Sequence, residues 1–303
     1  MSVASARQRP VTAAECNADH PQALHARGIL RSVARSGPGR YIAASSSSGR
    51  PFVESLMAGH SKWKQIKHYK AATDAKRGAK FTKLIREITM AAKQGGGDPA
   101  GNPRLRTAID TAKSASMPKD NIERAVKKGT GELEGVDYVE VMYEGYGPGG
   151  VALMIQAVTD NPTRTVADVR HRLSRGGGNL GATNSVSWMF DRKGQLFVAA
   201  DGTDEDACLD AALESGAEDF RAEDDQYVVT TDPAMLHAVK GALEAKRILV
   251  SRAEISWLPK NTVHIEGKTA ESLMKLLVEL EDIDDVQQVD ANFDMDVADM
   301  AGA

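Results

Sequence analysis

Glycine and proline cut this chain so often that no regular element can run long. Gly95-Gly96-Gly97-Asp98-Pro99, Gly145-Tyr146-Gly147-Pro148-Gly149-Gly150 and Gly176-Gly177-Gly178 each end whatever precedes them. What remains between the breaks suits short helices and strands stacked in small layers, not a coiled coil. The longest strictly apolar runs, such as Val151 to Ile155, fall far short of the roughly 20 residues a bilayer span needs. With 303 residues, two or three small domains are expected.

Three helices come first. Phe81, Leu84, Ile85, Ile88 and Ala92 make one apolar stripe on a helix predicted over residues 73–93, and Lys76, Lys83, Arg86 and Lys93 fall opposite it. Asn102 and Pro103 open a second helix with an N-cap and a first-turn proline. A third runs from about Pro118 to Lys127-Lys128-Gly129, with Gly129 expected as its cap. After residue 134 the rhythm changes. Strands are predicted at Tyr138–Tyr143, Val151–Val158, Ser185–Phe190, Leu196–Ala199, Tyr227–Thr230, Arg252–Leu258 and Val286–Phe293. Helices are predicted from Asn161-Pro162, from Thr203 as N-cap, from Asp232-Pro233, and from Thr269 as N-cap. Such alternation describes α+β layers, with helices on one face of antiparallel sheets.

Charge is strongly polarised. Residues 57–133 carry 17 Lys and Arg against 7 Asp and Glu, whereas residues 191–303 carry 10 against 26. A basic end of that density is the footprint of a polyanion partner, and the acidic body keeps the chain soluble. Residues 1–56 are Ser-, Arg- and Ala-rich without apolar periodicity and cannot bury enough surface to order themselves. They are read as a disordered extension from a misassigned start, with Met57 the first residue; an organelle transit peptide is the alternative.

Several patterns are rejected as chemistry. Gly176 to Gly181 spells a dinucleotide fingerprint, but a helix precedes it and a strand follows, the reverse of the required order. These glycines are expected to be a helix stop and a flexible loop. The acids from Asp201 to Asp206 lack calcium-loop spacing and suit a helix N-terminus. His171 sits among Arg170, Arg172 and Arg175 with no nucleophile placed beside it, and Cys208 reads as a small core residue. Two cysteines and seven histidines without ligand spacing offer no metal site, and nothing calls for a cofactor or a catalytic residue.

The segment Gly59 to Lys70 interleaves Lys62, Lys64, Lys67 and Lys70 with Trp63 and Tyr69. Lysines neutralise phosphates, and an aromatic can stack on an exposed base or pack on the bundle. Lys62, Trp63, Lys64, Lys67, Lys76, Arg77, Lys80, Lys83 and Arg86 are therefore the candidate nucleic-acid-binding residues, on surfaces the apolar stripe leaves free.

From Met57-Ala58-Gly59-His60-Ser61-Lys62-Trp63 through Ala75 to Leu84, the chain resembles the YebC family. Gly95 to Pro99, Asn102 to Leu105, Met117 to Ile122, Tyr143 to Gly150 and Asp160 to Thr165 extend the likeness to about Met295. The resemblance implies an N-terminal three-helix basic bundle followed by two α+β domains. It implies a helical domain over 57–133, a second domain from 134–190 plus 261–303, and an acidic third domain, 191–260, inserted into it. It further implies a cytoplasmic, non-enzymatic, DNA-binding transcriptional regulator. A second implied reading is a ribosome-associated translation factor on ribosomal RNA, helping translation through difficult stretches such as proline runs. No membrane partner is implied.

Overall fold

The computed structural model describes residues 74–223 and 225–295. Three helices open it: α1 (Asp74–Gly95), α2 (Pro103–Ser114) and α3 (Lys119–Gly129). Ile88, Ala91, Leu105, Ala108, Ala112, Ile122 and Ala125 form their common core, with Phe81, Leu84 and Ile85 partly buried against it. This is the predicted stripe, less deeply buried toward the start of α1. Asn102 joins the elements. Its carboxamide oxygen accepts from Leu105 N at 3.0 Å, and its nitrogen donates to Ala91 and Gly96 carbonyls at 2.8 and 2.9 Å. The expected role of Gly129 differs. The helix is closed by Thr130 and by Gly131 at φ +81°, while a Cβ on Gly129 would lie 2.4 Å from the Thr89 carbonyl oxygen. Gly129 lets α3 approach the backbone of α1.

The chain continues as β1 (Val139–Tyr146), β2 (Ala152–Thr159), α4 (Pro162–Arg175), β3 (Asn179–Leu180) and β4 (Phe190–Ala199). Next come α5 (Glu205–Glu214), β5 (Asp219–Ala222), β6 (Gln226–Thr231), α6 (Leu236–Ala245) and β7 (Val250–Pro259). β8 (Val263–His264), α7 (Gly267–Glu281), β9 (Val286–Ala291) and β10 (Phe293–Asp294) close it. The first sheet has the order β3-β1-β2-β9, all antiparallel. β8 and β10 form a separate parallel pair. The second sheet, β5-β6-β4-β7, is also antiparallel and is built wholly from chain lying between β3 and β9. The architecture is α+β.

Side-chain alternation divides each sheet into two faces. Val141, Tyr143, Leu153, Ile155 and Val289 pack against Val169 and Leu173 of α4 and Leu273 and Leu277 of α7. Leu196, Val198 and Val229 meet Cys208, Ala211, Val239 and Leu243 from α5 and α6. The back face of the first sheet packs differently, with Ala152, Met154, Val186 and Phe190 against Met142 and Trp257.

Several expected boundaries move for physical reasons. Residues 187–189 are a single 3-10 turn rather than a strand, and β4 begins only at Phe190. Asp204, not Thr203, caps α5, because its carboxylate accepts from Ala207 N at 2.8 Å. α6 starts at Leu236, since Asp232 holds a turn through Ala234 N. α7 begins at Gly267, placing Thr269 inside its first turn. The glycines after α4 are packing residues rather than a flexible loop. A Cβ on Gly178 would stand 2.3 Å from the Tyr146 carbonyl oxygen and one on Gly176 2.7 Å from Leu276. Gly177 at φ +80° supplies the reversal.

Candidate nucleic-acid interface

The sequence nominates nine residues, and the structure places them very differently. Lys62, Trp63, Lys64 and Lys67 lie outside the described residues. Lys76 and Arg77 fall in the first turn of α1, and Lys80 is exposed one turn later. The next turns are not a free face. Lys83 donates to the carbonyl of Glu281 at the end of α7. Arg86 places Nη1 2.9 Å from the Asp285 carboxylate, donates to the Asp284 carbonyl, and lies 5.8 Å from the Tyr138 ring centre. Its side chain is 13% exposed. The face opposite the apolar stripe, read as solvated from helical periodicity, is the face by which the bundle docks.

That docking surface is made of charge. Asp285 sits at its centre, accepting from Arg164 at 2.9 Å, Thr165 at 2.7 Å and Thr159 at 3.1 Å in addition to Arg86. Burial pushes its carboxyl up, but Arg164, Thr165, Arg86 and Thr159 together outweigh burial and hold it below the usual range. A second cluster forms on Arg104 of α2, which reaches Glu87 on α1 at 2.7 Å and Glu140 on β1 at 2.7 Å. Burial again opposes ionisation of Glu140, and the Arg104 bond and charge overcome it. Lys93 bonds the Asp137 carboxylate and the Tyr138 carbonyl. α2 touches the second sheet's unit through Thr107 and Pro103, both 2.9 Å from His237 Nε2, and through Asp110, 3.3 Å from Lys240.

With those cations engaged, the exposed basic groups among the described residues of the bundle include Lys80 on α1 and a cluster on α3. Arg124, Lys127 and Lys128 are exposed, and their i, i+3, i+4 spacing puts them on one face. Lys113 is exposed near the end of α2, and Lys119 pairs with Glu123 at 3.3 Å on the surface. α2 and α3 are joined by only four residues, Ala115 to Pro118, with Ser116 at φ +58° making the turn. In the sequence, Lys127 and Lys128 read only as partners of the helix dipole. Their exposure depends on which side of α3 meets α1, a side marked by buried Ile122 and Ala125 and by the close approach at Gly129.

One loop beyond the bundle is held with unusual firmness. Glu144 of β1 is 6% exposed, yet among the described residues its carboxylate pairs with backbone groups and not with a cation. It accepts from the N–H groups of Asn184 and Val186 at 2.7 Å and Ser187 at 2.9 Å. Burial raises its pKa, but those donors prevail and keep it below the ordinary value. The loop so clamped carries Trp188, which is 66% exposed.

Among the described residues no group of His, Cys, Asp and Glu could hold a metal ion, and no helix is long and apolar enough to cross a membrane. A three-helix bundle docked by charge onto antiparallel α+β layers, with exposed cations on its third helix, defines the structural class. Comparison with known proteins specifies it. The family model described as "TACO1/YebC protein N-terminal domain" matches residues 61–132, and "TACO1/YebC second and third domain" matches residues 138–293. The chain belongs to the TACO1/YebC family. A "Probable transcriptional regulatory protein" of Gemmatimonas aurantiaca is 68% identical over 247 residues, covering 82% of this chain and all of the relative. The protein of the same description from Geobacter sulfurreducens is 55% identical over 244 residues, covering 80% and 98%. The crystal structure of a conserved hypothetical protein, Aq1575, from Aquifex aeolicus superposes with a TM-score of 0.72 at 51% identity, covering 78% of this chain and 97% of that one.

Proposed function

We propose that this protein is a cytoplasmic, non-enzymatic, DNA-binding transcriptional regulator that contacts the phosphate backbone through its helical bundle. The observation that carries the reading is the exposed cationic face of Arg124, Lys127 and Lys128 on α3, which among the described residues makes none of the bonds that engage Lys83, Arg86, Lys93 and Arg104. Lys80, Lys76, Arg77 and the preceding Lys62, Lys64 and Lys67 extend that basic character along the chain. A helix presented after a four-residue turn suits a duplex groove, and the relatives' descriptions name transcriptional regulation. A second reading, an RNA-binding factor on the ribosome, is favoured by the exposed Trp188, since a protruding indole serves unpaired bases better than a duplex.

Salt titration of affinity tests the proposal on both duplex DNA and an RNA hairpin. For B-DNA, every phosphate the protein neutralises adds about 0.9 to the steepness of log affinity against log salt. Replacing Arg124, Lys127 and Lys128 with Ala should therefore lower the duplex slope by about 2–3 without lowering the melting temperature. An unchanged slope removes α3 from the interface. Tighter binding of the hairpin than of the duplex, at the same salt, decides for the second reading.

A further inference from the structure

We propose that the loop of residues 181–189 is a separate nucleic-acid contact, in which the exposed ring face of Trp188 stacks on an unpaired base. This rests on the nucleic-acid reading above and adds a second site to it. The loop is pinned by a contact from more than 40 residues away in the chain. A carboxylate is buried, and all three of its described hydrogen bonds go to backbone groups of this one loop. A large aromatic is left in water on the segment thus fixed.

The ring is also held in orientation. Its Nε1–H donates to the Ser185 carbonyl at 3.1 Å, the same oxygen that accepts from the Tyr146 hydroxyl at 3.2 Å. Lys260 donates to the Trp188 carbonyl at 3.1 Å. With its one polar group satisfied internally, the indole offers a partner only its π face.

The surroundings select a base over a protein side chain. A protein hot spot of this kind normally sits within an apolar rim that excludes water. Here the exposed loop neighbours are Ala182, Thr183 and Asn184, followed on β4 by Asp191, whose charge Lys260 meets at 3.2 Å, and by Arg192. Asn and Thr suit the hydrogen-bonding edge of a base, and Arg192 suits its phosphate.

Position supports a shared strand. Glu140 anchors the bundle through Arg104, and Glu144 anchors the loop. Alternation puts both carboxylates on the same face of β1, four residues or about 13 Å apart. The loop therefore emerges from the face on which the bundle is docked.

The test uses the full chain and three probes of one sequence: a single-stranded RNA of about 12 nucleotides, within the site size of one stacking platform, the matching single-stranded DNA, and the blunt DNA duplex. Trp188→Ala should weaken single-strand binding roughly tenfold or more, leave duplex binding and the salt slope unchanged, and keep the melting temperature. Trp188→Phe should recover most of the affinity. A Trp63→Phe/Trp257→Phe variant makes Trp188 the sole tryptophan, and its emission should be quenched by the single strands. The RNA and DNA arms identify which strand is the source. Unaltered affinity in Trp188→Ala overturns the proposal even if the second variant fails to fold. Emission that ignores both strands but shifts with a basic peptide also overturns it, assigning the loop to a protein. If the wild-type chain binds no probe, the nucleic-acid reading falls as well, an outcome distinct from loss of this site alone.

Discussion

The ion pair between Arg86 and Asp285 should couple the bundle to the first sheet by far more than a surface salt bridge. The two side chains are 13% and 6% exposed and their charged atoms approach to 2.9 Å. With charge centres about 4 Å apart and an effective dielectric near 20, the attraction is about 4 kcal/mol. Arg164 shares the same carboxylate and reduces what Arg86 contributes alone, so a coupling of about 2–4 kcal/mol is expected. Arg86→Met keeps the aliphatic stem, and Asp285→Asn keeps the shape of the carboxyl. The second change also leaves Arg86 buried without its counter-charge, and removing one member of such a pair costs about 3–5 kcal/mol. At about 2–4 °C per kcal/mol for a chain of this size, Asp285→Asn should lower the melting temperature by about 6–20 °C. Urea unfolding of wild type, both single variants and the double variant closes the thermodynamic cycle. A coupling energy under about 0.5 kcal/mol, the value of an exposed pair, would show that the bundle is not held by this contact.

Two more perturbations follow from the same geometry. Glu144 ionises below its ordinary value in the folded chain, so its contribution is complete above the unfolded pKa of about 4.3 and fades as pH falls through the lower folded value. Glu144→Gln should cost about 1–3 kcal/mol at about pH 7 and lack that part of the acid loss; parallel stability curves for the two proteins between about pH 7 and 3.5 would refute it. Gly129→Ala should destabilise by about 1–3 kcal/mol through its clash with Thr89, and Gly131→Ala by about 1–2 kcal/mol through its left-handed backbone. Chemical denaturation measures both, and an unperturbed Gly129→Ala would mean that α3 does not pack as closely as described.

Local order is legible wherever one residue type has one physical use. Asn102 with Pro103 and Asn161 with Pro162 announce helix starts, and both asparagines accept the expected backbone bonds. The apolar stripes of α1, α4 and α7 turn inward as their periodicity requires. Two-residue β3, β8 and β10 are not legible, because a strand that short has no period. Ser185 to Met189 resembles a strand in its β-prone residues, yet the N–H groups of Val186 and Ser187 go to the Glu144 carboxylate, 42 and 43 residues earlier in the chain. Such a contact has no local signal.

The candidate site departs from its sequence reading for the same reason. Helical periodicity states which side of α1 is polar, and Lys83 and Arg86 do lie away from the apolar stripe. It cannot state whether a polar side faces water or a second polar surface, because both satisfy charge. Here the acids that complete the surface, Asp284 and Asp285, follow Arg86 by almost 200 residues. The bundle's cations are thereby divided. Those on α1 and α2 that meet carboxylates fix its place on the sheet, while Arg124, Lys127 and Lys128 on α3 stay exposed. A basic count over the whole segment merges the two groups, and only the fold separates the cations that dock the bundle from those left exposed.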